Sequence, residues 1–204
     1  MSMVVLISGR GSNMQALIEA GLPVAAVISN VAGAAGLGFA AERSIATRVV
    51  EHGAYATREA FDAALAAEID RFEPRLVVLA GFMRVLTPGF VERYRERMLN
   101  IHPSLLPAFP GLDTHARALA AGVKVHGCTV HFVTAELDSG PIVLQAAVPV
   151  LPPDDARSLA ARVLKQEHVI YPQAARWFLD GKLVLREGVV RVKDNDAQLV
   201  IAAG

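Results

Sequence analysis

The sequence predicts an α/β protein with a mostly parallel, doubly wound sheet, helices on both faces and one antiparallel extension towards the carboxyl terminus. Continuous apolar runs at 4–7 and 76–80 are typical of parallel strands that are covered on both sides. Segments with the apolar spacing of helices separate these runs, as in successive βαβ units. We therefore expect ligands to bind where the strands end at their carboxyl edge.

The composition favours a single domain over residues 1–204, since this length suits one well-filled core. With 53% hydrophobic residues, 20% charged residues and a formal net charge of zero, nothing indicates a nucleic-acid partner. The apolar start at 3–7 is too short for a signal peptide or a membrane span, so we expect a cytoplasmic protein without a membrane partner. The single cysteine, Cys128, lacks a disulfide partner and the neighbours of a zinc site, and should pack within a strand.

The first half of the chain is predicted to alternate strands with helices. A buried strand at 4–7 leads into a turn at 8–13, after which Ser12 or Asn13 can cap a helix. The other elements predicted here are strands at 24–28, 47–50 and 76–80, a helix that follows a flexible loop at 31–37 and runs through Arg43, and a helix from Thr57 to near Pro74.

The second half departs from this alternation. Residues 126–134 alternate apolar with polar side chains, which predicts a half-covered strand. Strands at 182–186 and 189–193 should form a hairpin, and the acidic run at 194–196 should lead into a loose tail. The other elements predicted here are a helix at 114–121, a strand at 142–150, and a long helix from Asp154 or Asp155 to Phe178.

The stretch at 98–107 carries the first candidate site. Its apolar lead-in and Pro103 predict a short buried strand, on which Asn100 and His102 share one face because they lie two residues apart. An amide donor beside an imidazole can polarise a carbonyl and stabilise an oxyanion. The alternative is a structural histidine whose hydrogen bonds are satisfied within the protein.

The glycine-rich turn at 8–13 is the second candidate site. Because it follows a strand and opens a helix, its free backbone amides and the helix dipole favour an anion such as phosphate. It is not a dinucleotide fingerprint, since Met14 replaces the third glycine, and no lysine follows it as in a Walker loop. A tight turn without a ligand is the alternative.

Asp138, within the loop at 136–141, is the third candidate. A carboxylate in a Gly-Pro loop is usually a turn former that accepts a backbone amide. If Asp138 lies near His102, it would instead hold a proton on the imidazole and order a water between them. Asn100, His102 and Asp138 would then form an acyl-transfer site without a covalent nucleophile.

Six segments, in this order and at this spacing, resemble the folate-dependent formyltransferase family along the whole chain. They are VVLISGRGSN at 4–13, LAGFMRVL at 79–86, NIHPSLLP at 100–107, HGCTVHFV at 126–133, LDSGP at 137–141 and QEHVIYP at 166–172. The resemblance implies transfer of a formyl group from 10-formyltetrahydrofolate, as co-substrate, to the amine of 5-phosphoribosyl glycinamide in purine synthesis. It implies no metal, small molecules as the only substrates, and a monomer or a weak homodimer.

The resemblance also assigns roles to residues. Asn100 and protonated His102 would stabilise the oxyanion, while Asp138 would keep His102 protonated and help a water to carry the proton to the departing folate nitrogen. Two positions depart from the family pattern, Leu164 near the substrate and Ala135 in the folate loop, which affects the expected affinity and not the reaction. The implied substrate-binding residues are Gly11, Ser12, Asn13 and Glu167, and the implied folate-binding residues are Arg58, Met83, Arg84, Val85, Leu86, Asn100, Thr134, Ala135, Glu136, Leu137 and Asp138.

Within the single domain, we expect a phosphate-binding half at about 1–98 and a folate-binding and catalytic half at about 99–204. Arg58 could also be a solvated helix residue, and His131 could support the site without acting in catalysis. Three other functions stay open: a formyltetrahydrofolate hydrolase, a catalytic domain like that of methionyl-tRNA formyltransferase, and a folate-binding module without activity. The neutral net charge and the end of the chain at Gly204 disfavour the tRNA enzyme, which needs a further RNA-binding domain.

Overall fold

The computed structural model describes residues 2–202 and confirms the predicted α/β class. An eight-stranded, mostly parallel sheet has the strand order β10-β7-β6-β5-β4-β1-β2-β3, and β8 and β9 form a separate hairpin. The strands are β1 Met3–Ile7, β2 Val24–Ser29, β3 Ala46–Val49, β4 Leu76–Leu79, β5 Met98–His102, β6 Val125–Phe132, β7 Ile142–Pro149, β8 Leu183–Arg186, β9 Val189–Val192 and β10 Leu199–Ile201. The helices are α1 Ser12–Glu19, α2 Ala35–Glu42, α3 Arg58–Asp70, α4 Pro88–Arg93, α5 Thr114–Ala120 and α6 Ala156–Leu179, with a 3-10 turn at His52–Ala54.

The chain divides into two compact units, Met1–Asn100 and Ile101–Gly204. In the first unit, β1 pairs in parallel with both β2 and β4, and every residue of β1 is fully buried. This burial explains why β1 is apolar without alternation, since helices cover both faces of a parallel sheet. The predicted Thr57 cap of α3 is confirmed, because its side chain accepts a hydrogen bond from Ala60 N (3.1 Å).

In the second unit, β6 and β7 are antiparallel, and the long helix α6 contacts both of them. The sequence predicted that α6 starts at Asp154 or Asp155. Asp155 is the cap, through a reciprocal capping box with Ser158. The predicted hairpin forms between β8 and β9, and Glu187 and Gly188 both have positive φ in its turn.

Three expectations for the elements were wrong, and one short helix was missed. Gly11, with φ of 68°, is the residue before α1, and neither Ser12 nor Asn13 caps that helix. The strand predicted as half-covered, β6, is buried on both faces apart from Val125. The expected loose tail contains β10, which pairs in parallel with β7. The short helix α4, capped by Thr87 with Pro88 as its first residue, was not predicted.

Among residues 2–202, no helix combines the length and the apolar character that a membrane span needs.

Candidate active site

The candidate site begins on β5, which ends at His102 as the proline at 103 predicts. Asn100 and His102 lie two residues apart on this strand, so their side chains leave the same face. Asn100 is half-buried and His102 is 5% exposed. An imidazole this deeply buried needs partners for both ring nitrogens.

His102 and Asp138, as predicted from the sequence, lie side by side. His102 Nδ1 is 3.4 Å from Asp138 Oδ2, and His102 Nε2 is 2.9 Å from the carbonyl oxygen of Phe109. Both ring nitrogens therefore face acceptors, and a ring that carries a proton on each nitrogen would donate to both of them. The pair is screened from solvent, since the two side chains are 7% and 8% exposed.

The loop that carries Asp138 is held close to β6. Gly111 N donates to Asp138 Oδ2 (2.8 Å), and Asp138 itself has φ of 50°. A Cβ atom on Gly140 would lie 1.8 Å from the carbonyl oxygen of Phe132, so only glycine allows this approach. Of the predicted folate-loop residues, Thr134 is half-buried, and Ala135, Glu136 and Leu137 are exposed.

His131 also reaches Asp138. Its Nε2 lies 3.8 Å from Asp138 Oδ1, and its Nδ1 lies 2.9 Å from the carbonyl oxygen of Phe132, to which it donates. Burial lowers the pKa of His131, against the opposing effects of the Phe132 carbonyl and the Asp138 carboxylate. Asp138 thus lies between His102 and His131, and burial favours the neutral form of His131. Sequence reasoning left the role of His131 open, and its only signal was a shared strand face with Thr129.

The glycine-rich turn lines a cavity of about 250 Å³ within the first unit. Gly11 accepts a hydrogen bond from Gln15 N (2.9 Å), and Ser12 and Asn13 supply the first amides of α1. Because the first amides of a helix have no carbonyl partner within it, this turn can accept an anion. The cavity is lined by Ser8, Gly9, Arg10, Gly11, Ser12, Asn13, Ala80, Gly81 and Met83.

The predicted folate-binding segment at 83–86 lies in the same unit and has no helical or strand structure. Met83 is 68% exposed and Val85 is 64% exposed, whereas Leu86 is buried. Arg58 Nη2 donates to the carbonyl oxygen of Val85 (2.8 Å), so the side chain that is expected to contact folate also holds this segment. Arg84 is half-buried, and its Nε atom has no hydrogen-bond partner among residues 2–202.

Glu167 lies on α6 and is 8% exposed. Burial raises the pKa of the Cys128 thiol on β6, and the negative charge of Glu167 is the second cause of this rise. Cys128 is fully buried within its strand, as predicted. Within residues 2–202, no group of three or more His, Cys, Asp or Glu side chains is arranged to hold a metal ion.

Comparison with known proteins identifies the family to which the chain belongs. Residues 1–175 match the model of the formyl transferase family, and the chain belongs to that family, as the sequence motifs predicted. The chain is 53% identical over 193 residues to phosphoribosylglycinamide formyltransferase of Escherichia coli, covering 92% of this chain and 91% of that protein.

A solved structure and a longer relative extend this result. The phosphoribosylglycinamide formyltransferase of Anaplasma phagocytophilum superimposes with a TM-score of 0.94 at 42% identity, covering 100% of this chain and 99% of that one. The human trifunctional purine biosynthetic protein adenosine-3 is 47% identical over 189 residues, and the chain spans 19% of its length. The fold is therefore that of the formyltransferases.

Proposed function

We propose that this protein transfers the formyl group of 10-formyltetrahydrofolate to the amine of 5-phosphoribosyl glycinamide in purine biosynthesis. The observation that carries the proposal is the buried pair of His102 and Asp138. Asn100 precedes His102 by two residues on β5. In this proposal, His102 in its protonated form is the fixed cation that meets the negative charge developed in acyl transfer. The relatives named phosphoribosylglycinamide formyltransferase support the choice of substrate.

The mechanism follows from the charges that must be stabilised. The amine attacks the formyl carbon as the free base, which creates an oxyanion and an ammonium group in one intermediate. The Asn100 amide and the His102 imidazolium donate to the oxyanion, and Asp138 keeps the imidazole protonated. The acceptor that His102 Nε2 meets in the structure is the Phe109 carbonyl. An oxyanion, as the stronger acceptor, would replace it.

Proton transfer would involve the other oxygen of Asp138. His131 Nδ1 donates to Phe132, so Nε2 of the neutral ring is an acceptor that faces Asp138 Oδ1 across 3.8 Å. A water in the site could donate to one of these acceptors and take the ammonium proton through its oxygen. That water would then pass the proton to the departing folate nitrogen.

The binding roles follow the same logic. The amides of Gly11, Ser12 and Asn13 would hold the substrate phosphate, and Glu167 would accept hydrogen bonds from the ribose hydroxyls. The main chain at 83–86 and the loop at 134–138 would bind the folate ring, with Asn100 also contacting folate. The protein would act in the cytoplasm as a monomer or weak homodimer on small molecules alone, without nucleic acid, membrane or metal.

One assay with four acceptor conditions tests this function. The enzyme receives 10-formyltetrahydrofolate with 5-phosphoribosyl glycinamide, free glycinamide, charged initiator tRNA or no acceptor. We expect rapid transfer only to the first compound, because binding of the distant phosphate positions the amine. Turnover that is independent of acceptor would indicate a hydrolase, and transfer to tRNA would indicate the tRNA enzyme. Folate binding without turnover in any condition would indicate a binding module.

A further inference from the structure

The main chain at 83–86 depends on side chains for its conformation. Arg58 holds the carbonyl of Val85, and Asp62 Oδ2 accepts a hydrogen bond from Thr87 N (2.7 Å) just beyond the segment. At the other end, Met83 N donates to the hydroxyl oxygen of Ser8 (2.8 Å). Since backbone groups outside helices and sheets need such partners, these bonds determine how the segment presents its main chain.

The Ser8 hydroxyl is itself fixed in direction. Its proton goes to Asn30 Oδ1 (2.6 Å), which leaves the oxygen lone pairs to accept the Met83 amide. Asn30 is 3% exposed, and its Nδ2 lies 3.2 Å from His52 Nδ1. His52 Nδ1 is also 3.2 Å from the Asn30 backbone carbonyl oxygen. In the tautomer whose Nδ1 carries no proton, His52 accepts from the amide nitrogen, so the amide has partners at both ends and its oxygen faces Ser8.

We propose that Ser8 is a positioning residue for the folate co-substrate, because its hydroxyl, oriented by Asn30, holds the Met83 amide at the start of the folate-binding segment. The inference rests on the proposed function, in which the main chain at 83–86 binds the folate ring. Ser8 is also the first residue of the glycine-rich turn. That turn has other anchors, since Ser8 N donates to the Gly81 carbonyl (3.2 Å) and Gly36 N to the Gly9 carbonyl (3.1 Å).

These separate anchors make the inference specific. Ser8→Ala removes the hydroxyl and leaves the Met83 amide without its acceptor, while the backbone bonds of the turn stay intact. We expect equilibrium affinity for tetrahydrofolate to fall by about tenfold, because the segment loses one of the hydrogen bonds that hold it in its folate-binding conformation. The KM for 5-phosphoribosyl glycinamide should stay within about threefold of wild type, and Ser8→Thr, which keeps a hydroxyl, should restore most of the folate affinity.

Ser29→Ala is the matched control. Ser29 is fully buried one residue before Asn30, and its hydroxyl bonds to the backbone of Val31, at 2.9 and 3.0 Å. An equal loss of folate affinity in Ser29→Ala, or an equal rise of both KM values in Ser8→Ala, would overturn the inference. Unchanged folate affinity in Ser8→Ala would also overturn it. Because tetrahydrofolate binding is measured without an acceptor, a wild-type enzyme that binds folate but transfers no formyl group would refute the proposed function alone.

Discussion

At the scale of single residues, the proposed chemistry depends on the position of Asp138 between two histidines. His102 and His131 approach different oxygens of the same carboxylate, at 3.4 and 3.8 Å. One ring faces acceptors with both nitrogens, and burial lowers the pKa of the other. A single carboxylate can thus stabilise a cation on one side and face a neutral acceptor on the other.

His102→Ala tests this arrangement. We expect kcat to fall by about a hundredfold or more, since one donor to the oxyanion is lost, with tetrahydrofolate affinity close to that of wild type. Steady-state kinetics and equilibrium folate binding would be measured on the same protein. Asp138→Asn is the companion variant, because it keeps the shape of the carboxylate and removes its charge. Retention of wild-type kcat by His102→Ala would contradict the catalytic role.

The sequence predicted the residues of this pair but not their surroundings. Asn100, His102 and Asp138 are visible because their residue types and their places near strand ends indicate chemistry. The Phe109 carbonyl and the Gly111 amide are backbone groups, which any residue would supply, so no sequence signal marks them. His131 was left open because its proximity to Asp138 depends on how the loop at 134–140 folds back onto β6.

At the scale of elements, α2 packs against the glycine-rich turn through Gly36. A Cβ atom at this position would lie 2.7 Å from Ile7 Cδ1, 3.1 Å from the Arg10 carbonyl oxygen and 3.1 Å from Met14 Cε. The Arg10 carbonyl belongs to the turn itself, so a larger residue in α2 must displace the proposed phosphate-binding backbone. The flexible loop predicted at 31–37 is thus partly the first turn of this closely packed helix.

Gly36→Ala and Gly38→Ala form a matched pair within α2. Alanine at Gly38 meets nothing within 4 Å and should stabilise the protein by up to about 1 kcal/mol through helix propensity. Alanine at Gly36 should instead destabilise it by about 1–3 kcal/mol and raise the KM for 5-phosphoribosyl glycinamide. Urea unfolding and steady-state kinetics measure both effects. Similar results for the two variants would contradict the packing argument.

Elements were predictable where local patterns decide their structure. Thr57 and Asp155 cap helices because their side chains bond within three residues. The strand β10 was not predicted because its three residues follow an acidic run and are too few to show a strand pattern of their own. They form a strand by pairing with β7, about fifty residues earlier in the chain. The polar face of β6 can be buried because the Thr129 hydroxyl forms hydrogen bonds with Ser104, Leu106 and Gln145.

At the scale of the whole molecule, buried histidines link stability to pH. His126 is 1% exposed, and its Nε2 lies 3.2 Å from His115 Nδ1. Burial lowers the pKa of His126 to about 4, and the neighbouring His115 adds to this effect. The pKa of His115 is also lowered, by burial first and then by His102. There is therefore a pH range in which His126 is protonated in the unfolded chain but neutral in the folded protein.

The sign of the effect follows from this difference. Below its ordinary pKa of 6.5, His126 takes up a proton in the unfolded chain, but the folded protein takes it up only near pH 4. The free energy of unfolding should therefore fall as the pH decreases from about 6.5 to about 4, with His126 contributing at most about 1.4 kcal/mol per pH unit. Asp154, whose pKa is lowered by Arg162, contributes a loss only below its ordinary value of 3.8, outside this range.

His126→Phe removes the titrating group and keeps a ring in the buried position. We expect its free energy of unfolding to depend less steeply on pH between 6.5 and 4 than that of wild type, although its stability at pH 7 should be lower because the bond to His115 is lost. Urea unfolding of both proteins at pH 7, 6, 5 and 4.5 measures the two slopes. Parallel pH curves, offset by a constant amount, would show that His126 does not cause the loss of stability in acid.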